Sequence, residues 1–513
     1  MFKLQIIIGL IFITHFCSAQ SKQDYVWVTG YDLSSEDGVE VITGNFNSDN
    51  FKWELTEKPM GSFAMNATIC DREGRLLLYF NGCMIANGQN QLVENGDSIN
   101  GGEFQDQFWN NCIEYGYPGS QDAMILPDPG NEAGYYIFHK KILVNPQGRN
   151  RLELNYSYVD ELVTSNDAGI ATIKNKVFYE NVESMGRYFS AIADDSQSGY
   201  WIIQPLVEDS IFLTFYLDDT GIDYRGEQNT LQFFDAFRSS ASGTSKFSPD
   251  GTKYAIYNYY DQLHLYDFDR STGLFSNHQK IEIFPDSTID RDAIRFGSVE
   301  WSPSSRFVYC ASSLELHQVD TWEGDPQDGV RHIATYEEYL DPFQTQIHLQ
   351  ALAPDCKIYI VSGNSTRSYH VIKKPNELGT GCNFEQNGIK LPWDAAGQCF
   401  PNFPRFRVDE EEKCDPTITS VFGDAVYYRK ELEVYPSPSV GPITVVIPDD
   451  WTKGRLVVLD VQGQIMLQEN LINAIQKKRL DLSDLPAGHY NVELYPEQTT
   501  ERIFYGKQIV LVK

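Results

Sequence analysis

The sequence predicts an all-β protein made of two β domains, and three observations lead to this prediction. A segment of strand, polar turn and strand recurs through the middle of the chain, most clearly at residues 246–257 and 300–310. The strand after each turn is rich in aromatic and β-branched residues. Beyond an acidic stretch at residues 409–416, the pattern changes to short alternating strands separated by Gly and Pro turns.

The start of the chain predicts a cleavable secretory signal. Lys3 precedes an apolar run that ends at Phe16, and the small residues Ser18 and Ala19 follow it. The run is shorter than the ~18 to 20 apolar residues that span a bilayer. We therefore predict a signal peptide at residues 1–19. No later stretch is long and apolar enough to predict a transmembrane segment.

The net charge restricts the partners that the chain is expected to have. Lys and Arg total 41 against 71 Asp and Glu, which gives a formal net charge of −30 at pH 7. Such a surface repels phosphate backbones and anionic lipids. The sequence therefore predicts no nucleic-acid partner.

The cysteines are compatible with disulfides. The chain has nine, of which Cys17 lies in the signal, so an even number remains in an exported protein. None shows Cys-x-x-Cys spacing, and no histidine pair accompanies them at the spacing of a zinc site. Cys382 and Cys399 flank a short Gly-rich loop and are the pair that we expect to be bridged, although spacing alone does not determine connectivity.

The repeat predicts the architecture of the larger domain. Its turns are separated by 51 to 67 residues, a period that holds four short strands with their loops. Four-stranded sheets repeated around an axis are the blades of a β-propeller. The six turns lie at Asp71, Asp128, Asp195, Asp250, Ser304 and Asp355.

The ends of the repeated region predict how the ring closes. Residues 25–30, 39–46 and 51–56 supply three strands without an inner one, and residues 400–407 supply a lone strand at the far end. Together they would complete one more blade, so we predict a seven-bladed propeller over residues 24–408. A six-bladed ring with the N-terminal strands packed outside it is the alternative.

These residues resemble the WD-repeat-like propeller regions of surface and secreted proteins of the Bacteroidetes. The resemblance covers most of residues 24–408 and implies a scaffold, with no catalytic residues to transfer. Ser304, Ser305 and Cys356 depart from the family pattern, because Asp-Gly or Gly is usual in those turns. The motifs that carry the resemblance lie at residues 74–82, 126–130, 135–138, 265–269, 374–379, 382–384 and 401–403.

The terminal region predicts a second, smaller domain. Residues 409–430 are interpreted as a linker, and residues 431–513 as a small Ig-like antiparallel β-sandwich, because six or seven short strands with Gly and Pro turns follow one another. The strands are expected at residues 432–435, 443–447, 455–461, 478–482, 489–494 and 507–511.

This last region resembles the C-terminal sorting domain of type IX secretion. The resemblance implies that the secretion machinery is a partner, and that the chain passes through the periplasm and is released or displayed at the outer cell surface. Ser437 stands where Asn is more usual between the two prolines. The matching positions are Pro436, Pro438, Gly441, Asp460, Gly463, Gly488, Tyr490 and Lys507.

No motif predicts catalysis or a bound cofactor. The chain lacks His-Glu-x-x-His, Gly-x-Ser-x-Gly and a phosphate-binding Gly-rich loop. His264, His317 and His370 recur on the third strands of consecutive repeats, and we interpret them as equivalent positions that do not share a site.

Two acidic loops carry carboxylate oxygens, which are the ligands that calcium prefers. One runs from Asp218 to Asp223 and the other from Asp267 to Asp269. Neither follows an EF-hand pattern, so turns are the preferred interpretation.

The sequence favours a non-enzymatic protein that binds an extracellular protein or glycan through its loops. Residues 87–121 form the longest insert between strands and are the predicted recognition loop. The alternative is a hydrolase or lyase that degrades extracellular polymers with carboxylates lining the central channel.

Overall fold

The structure is a computed structural model, and it separates into two compact units, Met1–Glu412 and Lys413–Lys513. The predicted signal, most of the linker and two sorting-motif positions, Asp460 and Gly463, lie outside the described residues. The described residues are 21–31, 39–47, 51–108, 110–145, 151–182, 188–206, 211–229, 243–290, 295–391, 396–408, 421–422, 425–426, 428–448, 453–459, 465–472, 476–483, 485–496 and 503–512.

The described strands of the first unit form seven antiparallel sheets, and within each sheet the strands pair in chain order. Two sheets have three strands: β1 to β3 (Val26–Thr29, Val39–Asn45, Trp53–Lys58) and β4 to β6 (Ala67–Cys70, Leu76–Phe80, Ile85–Asn87). Five have four strands: β7 to β10 (Ala123–Asp128, Asn131–Leu143, Arg151–Asp160, Ile170–Val182), β11 to β14 (Ser190–Ala193, Tyr200–Leu206, Ile211–Asp218, Gly221–Gln228), β15 to β18 (Gly243–Phe247, Lys253–Asn258, Gln262–Asp269, Leu274–Ile281), β19 to β22 (Ser298–Trp301, Phe307–Ala311, Glu315–Asp320, Val330–Thr335) and β23 to β26 (Gln350–Leu352, Ile358–Ile360, Ser368–Ile372, Phe384–Lys390).

These sheets pack face to face in a closed ring, because each hydrophobic cluster is shared by two neighbouring sheets. The ring closes where Trp27 and Trp53 of the first sheet pack with Tyr359 and Tyr369 of the last. Burial of both faces explains why second strands such as β5, β20 and β24 are almost wholly apolar. The arrangement is that of a β-propeller.

The repeated turns keep one shape even where the sequence departs from the pattern. Gly251 has φ +72°, and Ser305 and Cys356 take φ +59° and +66° at the equivalent positions. In all three turns the backbone N–H of this residue donates to the carbonyl three residues earlier, at 2.9 Å. Left-handed backbone is costly for residues other than Gly, so the surrounding sheets impose it at Ser305 and Cys356.

The predicted inner strand at residues 400–407 is wrong as a strand. β1 packs against β4, and residues 400–407 form a single bridge, between Arg405 and Ile192 of β11. The physical reason is that Pro401 and Pro404 have no backbone N–H to donate to a ladder.

The predicted disulfide between Cys382 and Cys399 is also wrong, because both residues are buried thiols. Cys382 packs between the last two sheets, whereas Cys399 packs where the ring closes. Proximity along the chain therefore did not place the two side chains in one cluster. Instead, Cys83 and Cys112 are bridged, with Cα atoms 5.8 Å apart, and Cys356 is also disulfide-bonded.

Helices are short in the described part of the chain. The insert holds α1 (Glu103–Phe108) and α2 (Cys112–Tyr115), and single 3-10 turns lie at Asp286–Thr288, Pro326–Gly329 and Gly379–Cys382. None of the described helices has the length and apolar composition needed to cross a membrane.

The second unit has two main sheets around one hydrophobic cluster. β29 pairs in parallel with the last strand, so the predicted antiparallel pattern is incomplete. Four strands, β27, β28, β29 and β33, were not predicted. The strands are β27 (Val421–Phe422), β28 (Ala425–Val426), β29 (Tyr428–Glu431), β30 (Val434–Tyr435), β31 (Pro442–Val446), β32 (Lys453–Leu459), β33 (Ile465–Ile472), β34 (Lys477–Asp481), β35 (Gly488–Pro496) and β36 (Ile503–Leu511). The sheet orders are β27-β28, β29-β36-β35-β32-β33 and β30-β31-β34.

Candidate functional site

Residues 396–408, called here the central segment, run through the middle of the ring. Asn402 Nδ2 donates to the carbonyl of Ala123 on β7 at 3.1 Å, and Arg405 Nε donates to the carbonyl of Phe247 on β15 at 2.8 Å. Because the first strands of neighbouring sheets contact one another around the axis of the ring, a segment that bonds to the first strands of several sheets must lie near that axis. Its other partners in the ring include Thr29, Asn66, Phe189, Ala191, Lys246 and Glu300.

The central segment is held by buried ion pairs. Arg405 binds Glu300 of β19, and Glu300 Oε1 also accepts the backbone N–H of Trp301 at 2.9 Å. At the far end of the segment Arg407 binds Asp24. Both carboxylates therefore have a cationic partner, as buried charges require.

Little space remains beside the central segment. A cavity of about 30 Å³ lies between it and the first strands, bordered by Thr244, Lys246, Gln350, Cys399 and Asn402 among others. Lys246 Nζ donates to Asn402 Oδ1 at 3.2 Å, and burial lowers the pKa of Lys246 to about 8. This volume suits one or two water molecules rather than a polymer substrate.

The three equivalent histidines do not meet. His264 Nδ1 lies 2.9 Å from Nε2 of His278 on its own sheet, and His370 Nδ1 accepts the backbone N–H of Asn387 at 3.0 Å. His317 contacts the ring of His332, also on its own sheet. Burial lowers the pKa of His264 to about 3 and that of His317 and His370 to about 4, so all three are neutral at pH 7.

The acidic loops considered for calcium are turns in the structure. Asp218 Oδ1 accepts the backbone N–H of Thr220 at 2.8 Å, and Asp269 Oδ1 accepts that of Ser271 at 2.9 Å. Asp267 instead bonds Lys253 Nζ at 2.7 Å. Among the described residues, no group of three or more His, Cys, Asp and Glu side chains could hold a metal ion.

The insert at residues 87–121 is partly core and partly surface. Tyr117 and Ile99 are fully buried in the cluster that also contains the Cys83–Cys112 disulfide. Asn100 Oδ1 lies 2.8 Å from Nδ1 of the buried His139. Other insert residues, including Ile113, are exposed. Its role as a recognition loop stays a prediction, and only its exposed residues are available for that role.

A second exposed surface, not predicted from the sequence, lies in the connection between β22 and β23. Residues 337–346, called here the tip loop, expose Tyr339, Leu340 and Phe343 with 42%, 61% and 55% of their area accessible. The sequence signal is the run Tyr-Leu-Asp-Pro-Phe inside a polar stretch. It could have indicated an exposed apolar turn, but periodicity alone does not distinguish this from a short buried strand.

The tip loop and the insert lie at the same end of the ring. Asn364 Nδ2 donates to the carbonyl of Gln344 in the tip loop at 3.4 Å, and the neighbouring Ser365 Oγ lies 2.6 Å from the hydroxyl of Tyr31. The ring of Tyr31 in turn packs against Tyr115 of the insert at 5.0 Å. We call this end the loop end.

The sorting-motif positions described in the second unit come together near the end of the chain. Pro436 and Pro438 follow β30, and the Ser437 hydroxyl between them accepts the backbone N–H of Val510 at 3.1 Å. Gly441 has φ +140°, and its carbonyl accepts the N–H of Leu482 at 3.0 Å. The remaining three described positions lie on the last two strands: Gly488 and Tyr490 on β35, and Lys507 on β36.

Comparison with known families identifies the second unit. Residues 433–508 match the model of the secretion system C-terminal sorting domain. The chain therefore carries the sorting domain of type IX secretion, which indicates secretion or export to the cell surface. No curated protein matches the chain.

Solved structures resemble the chain at low sequence identity. A protein of unknown function from Desulfotomaculum acetoxidans is 12% identical, with 74% of this chain and 99% of that chain covered and a TM-score of 0.38. The β-propeller domain of Cps50 (Swd1) from Myceliophteria thermophila is 9% identical, covering 66% and 93% with a TM-score of 0.35. Hydrazine synthase from Kuenenia stuttgartiensis is 12% identical, covering 69% and 96% with a TM-score of 0.33.

Proposed function

We propose that this chain is a binding protein, secreted or held at the outer cell surface, whose seven-bladed β-propeller contacts an extracellular protein or glycan through its loops. The observation that supports this proposal is the central segment. It leaves a cavity of about 30 Å³ beside it, whereas small-molecule sites typically occupy about 300–1,000 Å³. The loops are the other candidate surfaces, because binding residues often lie on loops held by a rigid scaffold.

The alternative, a polymer-degrading hydrolase or lyase, has less support among the described residues of the ring. A glycoside hydrolase, for example, would need two carboxylates near each other with room for a substrate. Glu300 is bound by Arg405 and Asp24 by Arg407, so the carboxylates that contact the central segment are engaged in ion pairs.

The organisation that we propose has four parts. Residues 1–19 are a signal peptide, 24–408 the propeller, 409–430 a linker, and 431–513 an Ig-like sorting domain recognised by the type IX machinery. We infer a Bacteroidetes origin from the same resemblance. The match of residues 433–508 to the sorting-domain model and the division of the chain after Glu412 support this organisation.

Export is tested by truncation. In a host with type IX secretion, we expect the full chain to reach the cell surface or the medium and a chain ending at Val408 to stay in the periplasm. A chimera that carries another type IX sorting domain after Val408 is the matched control and should be exported again. Surface delivery of the truncated chain would contradict the proposal.

Binding is tested by screening the purified full chain against extracellular protein and glycan arrays, together with assays for polymer cleavage. We expect saturable binding to one class of ligand without turnover. Turnover of a polymer that is abolished by substituting a residue beside the central segment, such as Lys246→Met, would instead establish an enzyme.

A further inference from the structure

The tip loop carries a group of exposed apolar side chains that lie close together in the chain. Tyr339, Leu340 and Phe343 are large apolar side chains, and all three are exposed within five residues. Elsewhere exposed apolar residues of the propeller are mostly single, such as Val163 and Leu274. Single exposed apolar residues are ordinary, but a contiguous group of this kind marks an interaction surface.

The tip loop is also held in one conformation. The Tyr339 carbonyl accepts the Tyr336 hydroxyl at 2.6 Å and the backbone N–H of Thr345 at 3.1 Å. The Asp341 carbonyl accepts the backbone N–H of Arg367 at 3.0 Å. These bonds are made beneath the apolar side chains, which are therefore presented before any partner arrives. A preorganised surface loses less conformational entropy on binding.

Charges around the tip loop indicate the chemistry of its partner. Glu337, Glu338 and Asp341 belong to the loop, and two bases lie beside it. The Lys390 ammonium is 3.4 Å from an Asp341 carboxylate oxygen, and Arg367 bonds the Asp341 carbonyl through its backbone N–H, so three acidic residues face two basic ones. These charged residues around the apolar side chains, called here the rim, are therefore acidic on balance, in keeping with the formal net charge of −30 of the whole chain. An acidic rim attracts a basic partner and repels an acidic one.

The apolar side chains suit a protein better than a glycan. Sugars stack on open aromatic faces, but the Lys390 ammonium lies 5.1 Å from the centre of the Tyr339 ring and covers one of its faces. Leu340, the most exposed of the three, is aliphatic. Beside the tip loop, Tyr31 packs edge to face with Phe63 and with Tyr115, so these rings do not form a flat platform.

We propose that the tip loop is a docking site for a protein segment that carries apolar side chains flanked by lysine or arginine. This inference deepens the binding function proposed above and rests on it. The apolar side chains of the partner would pack against Leu340 and Phe343, and its basic residues would lie opposite Glu337, Glu338 and Asp341.

The test measures binding of the full chain to three short synthetic peptides. The first has a leucine-rich core with Lys and Arg flanks, the second the same core with Glu flanks, and the third the basic flanks with a serine core. We expect binding to the first peptide alone, weakened at high salt because the rim is charged. The double variant L340S/F343S should bind it at least about tenfold more weakly, the scale of a binding hot spot.

The matched control is V163S/L274S. It removes two equally exposed apolar side chains that lie outside the tip loop, Val163 from the connection between β9 and β10 and Leu274 from the first position of β18. We expect this variant to bind the first peptide like the unsubstituted chain. Circular dichroism should show that both double variants are folded.

Each failure has its own meaning. Equal loss of binding in both double variants, or binding to the acidic peptide as strong as to the basic one, would overturn the docking site. A glycan array whose binding is lost in L340S/F343S would overturn the protein partner while supporting the proposed binding function. Peptide binding that no loop-end variant changes would place the interaction elsewhere on the chain.

Discussion

The central segment and the tip loop are both irregular stretches of the propeller, but side chains of the first are buried and bound, whereas those of the second are exposed. Arg405 of the central segment is bound by a buried carboxylate and a backbone carbonyl. Leu340 and Phe343 of the tip loop project into solvent above a hydrogen-bonded base. A segment whose charged side chains are bound by the surrounding strands stabilises the ring, whereas a hydrogen-bonded segment with exposed apolar groups is suited to a partner.

This contrast predicts which substitutions change stability and which change binding. Substitutions that disturb the central segment should lower the free energy of unfolding by several kcal/mol, because they leave buried charged groups or backbone groups without partners. Substitutions at the tip should leave folding almost unchanged, because exposed side chains contribute little to the core.

The largest effect is expected for Glu300→Ala. The substitution leaves Arg405 buried without its carboxylate and removes the acceptor of the Leu352 backbone N–H at 3.1 Å. We expect the free energy of unfolding to fall by about 3–5 kcal/mol, measured by denaturant titration. Glu300→Gln, which keeps the size of the side chain and one of its two acceptor oxygens, is the control and should lose less. A loss below about 1 kcal/mol would mean that the ion pair does not hold the central segment.

The next effect concerns the disulfide that anchors the insert. Cys83 and Cys112 are 29 residues apart, and opening a loop of this size costs about 3–4 kcal/mol in chain entropy. C83A/C112A should therefore lower the midpoint of unfolding and expose residues 88–111 to limited proteolysis. Cys310→Ala removes a buried thiol that is not bridged, and it should not open the insert. Unchanged protease resistance in C83A/C112A would show that the core contacts of Tyr117 suffice.

A smaller loss in the free energy of unfolding is expected at acidic pH. Burial lowers the pKa of His139 to about 3, below the ordinary value of 6.5. Below pH 6.5 the unfolded chain binds a proton at His139 that the folded chain does not bind. The contribution of His139 to the free energy of unfolding is therefore fully present above pH 6.5 and is lost as the pH falls. One such histidine should cost about 2 kcal/mol at pH 5.

His139→Gln measures this contribution. The variant removes the titrating group next to Asn100 and Ser157. We expect a shallower fall in the free energy of unfolding between pH 7 and pH 5 than in the unsubstituted chain. His332→Gln replaces an exposed histidine and serves as the control. Identical pH profiles for His139→Gln and the unsubstituted chain would contradict the burial argument.

The smallest effect on stability is expected at the tip loop. L340S/F343S should change the free energy of unfolding by less than about 0.5 kcal/mol, the usual range for exposed positions. Denaturant titration of this variant beside Glu300→Ala compares the two regions directly. A loss of several kcal/mol in L340S/F343S would mean that these side chains pack against residues of the ring and are not held ready for a partner.

Much of the fold was predictable because it depends on local patterns. The turn at Ser248, Asp250 and Gly251 repeats through the ring, and alternating apolar residues identify the strands beside it. The sorting domain was recognised from short motifs, and residues 433–508 match its family model. The tip loop was missed because a run such as Tyr-Leu-Asp-Pro-Phe does not reveal from local pattern whether it is buried or exposed.

The amino-acid sequence by itself determined most of the strands, the repeated turns, the net acidic charge and the sorting domain at the end of the chain. These features follow from residues close together in the chain or from simple sums of charge. Only the tertiary structure decided that Cys83 pairs with Cys112, and that the proline-containing segment near Arg405 lies at the centre of the ring as an irregular segment. Glu300 and Arg405 are 105 residues apart. Contacts over such distances depend on how whole sheets pack, and no local pattern encodes that packing.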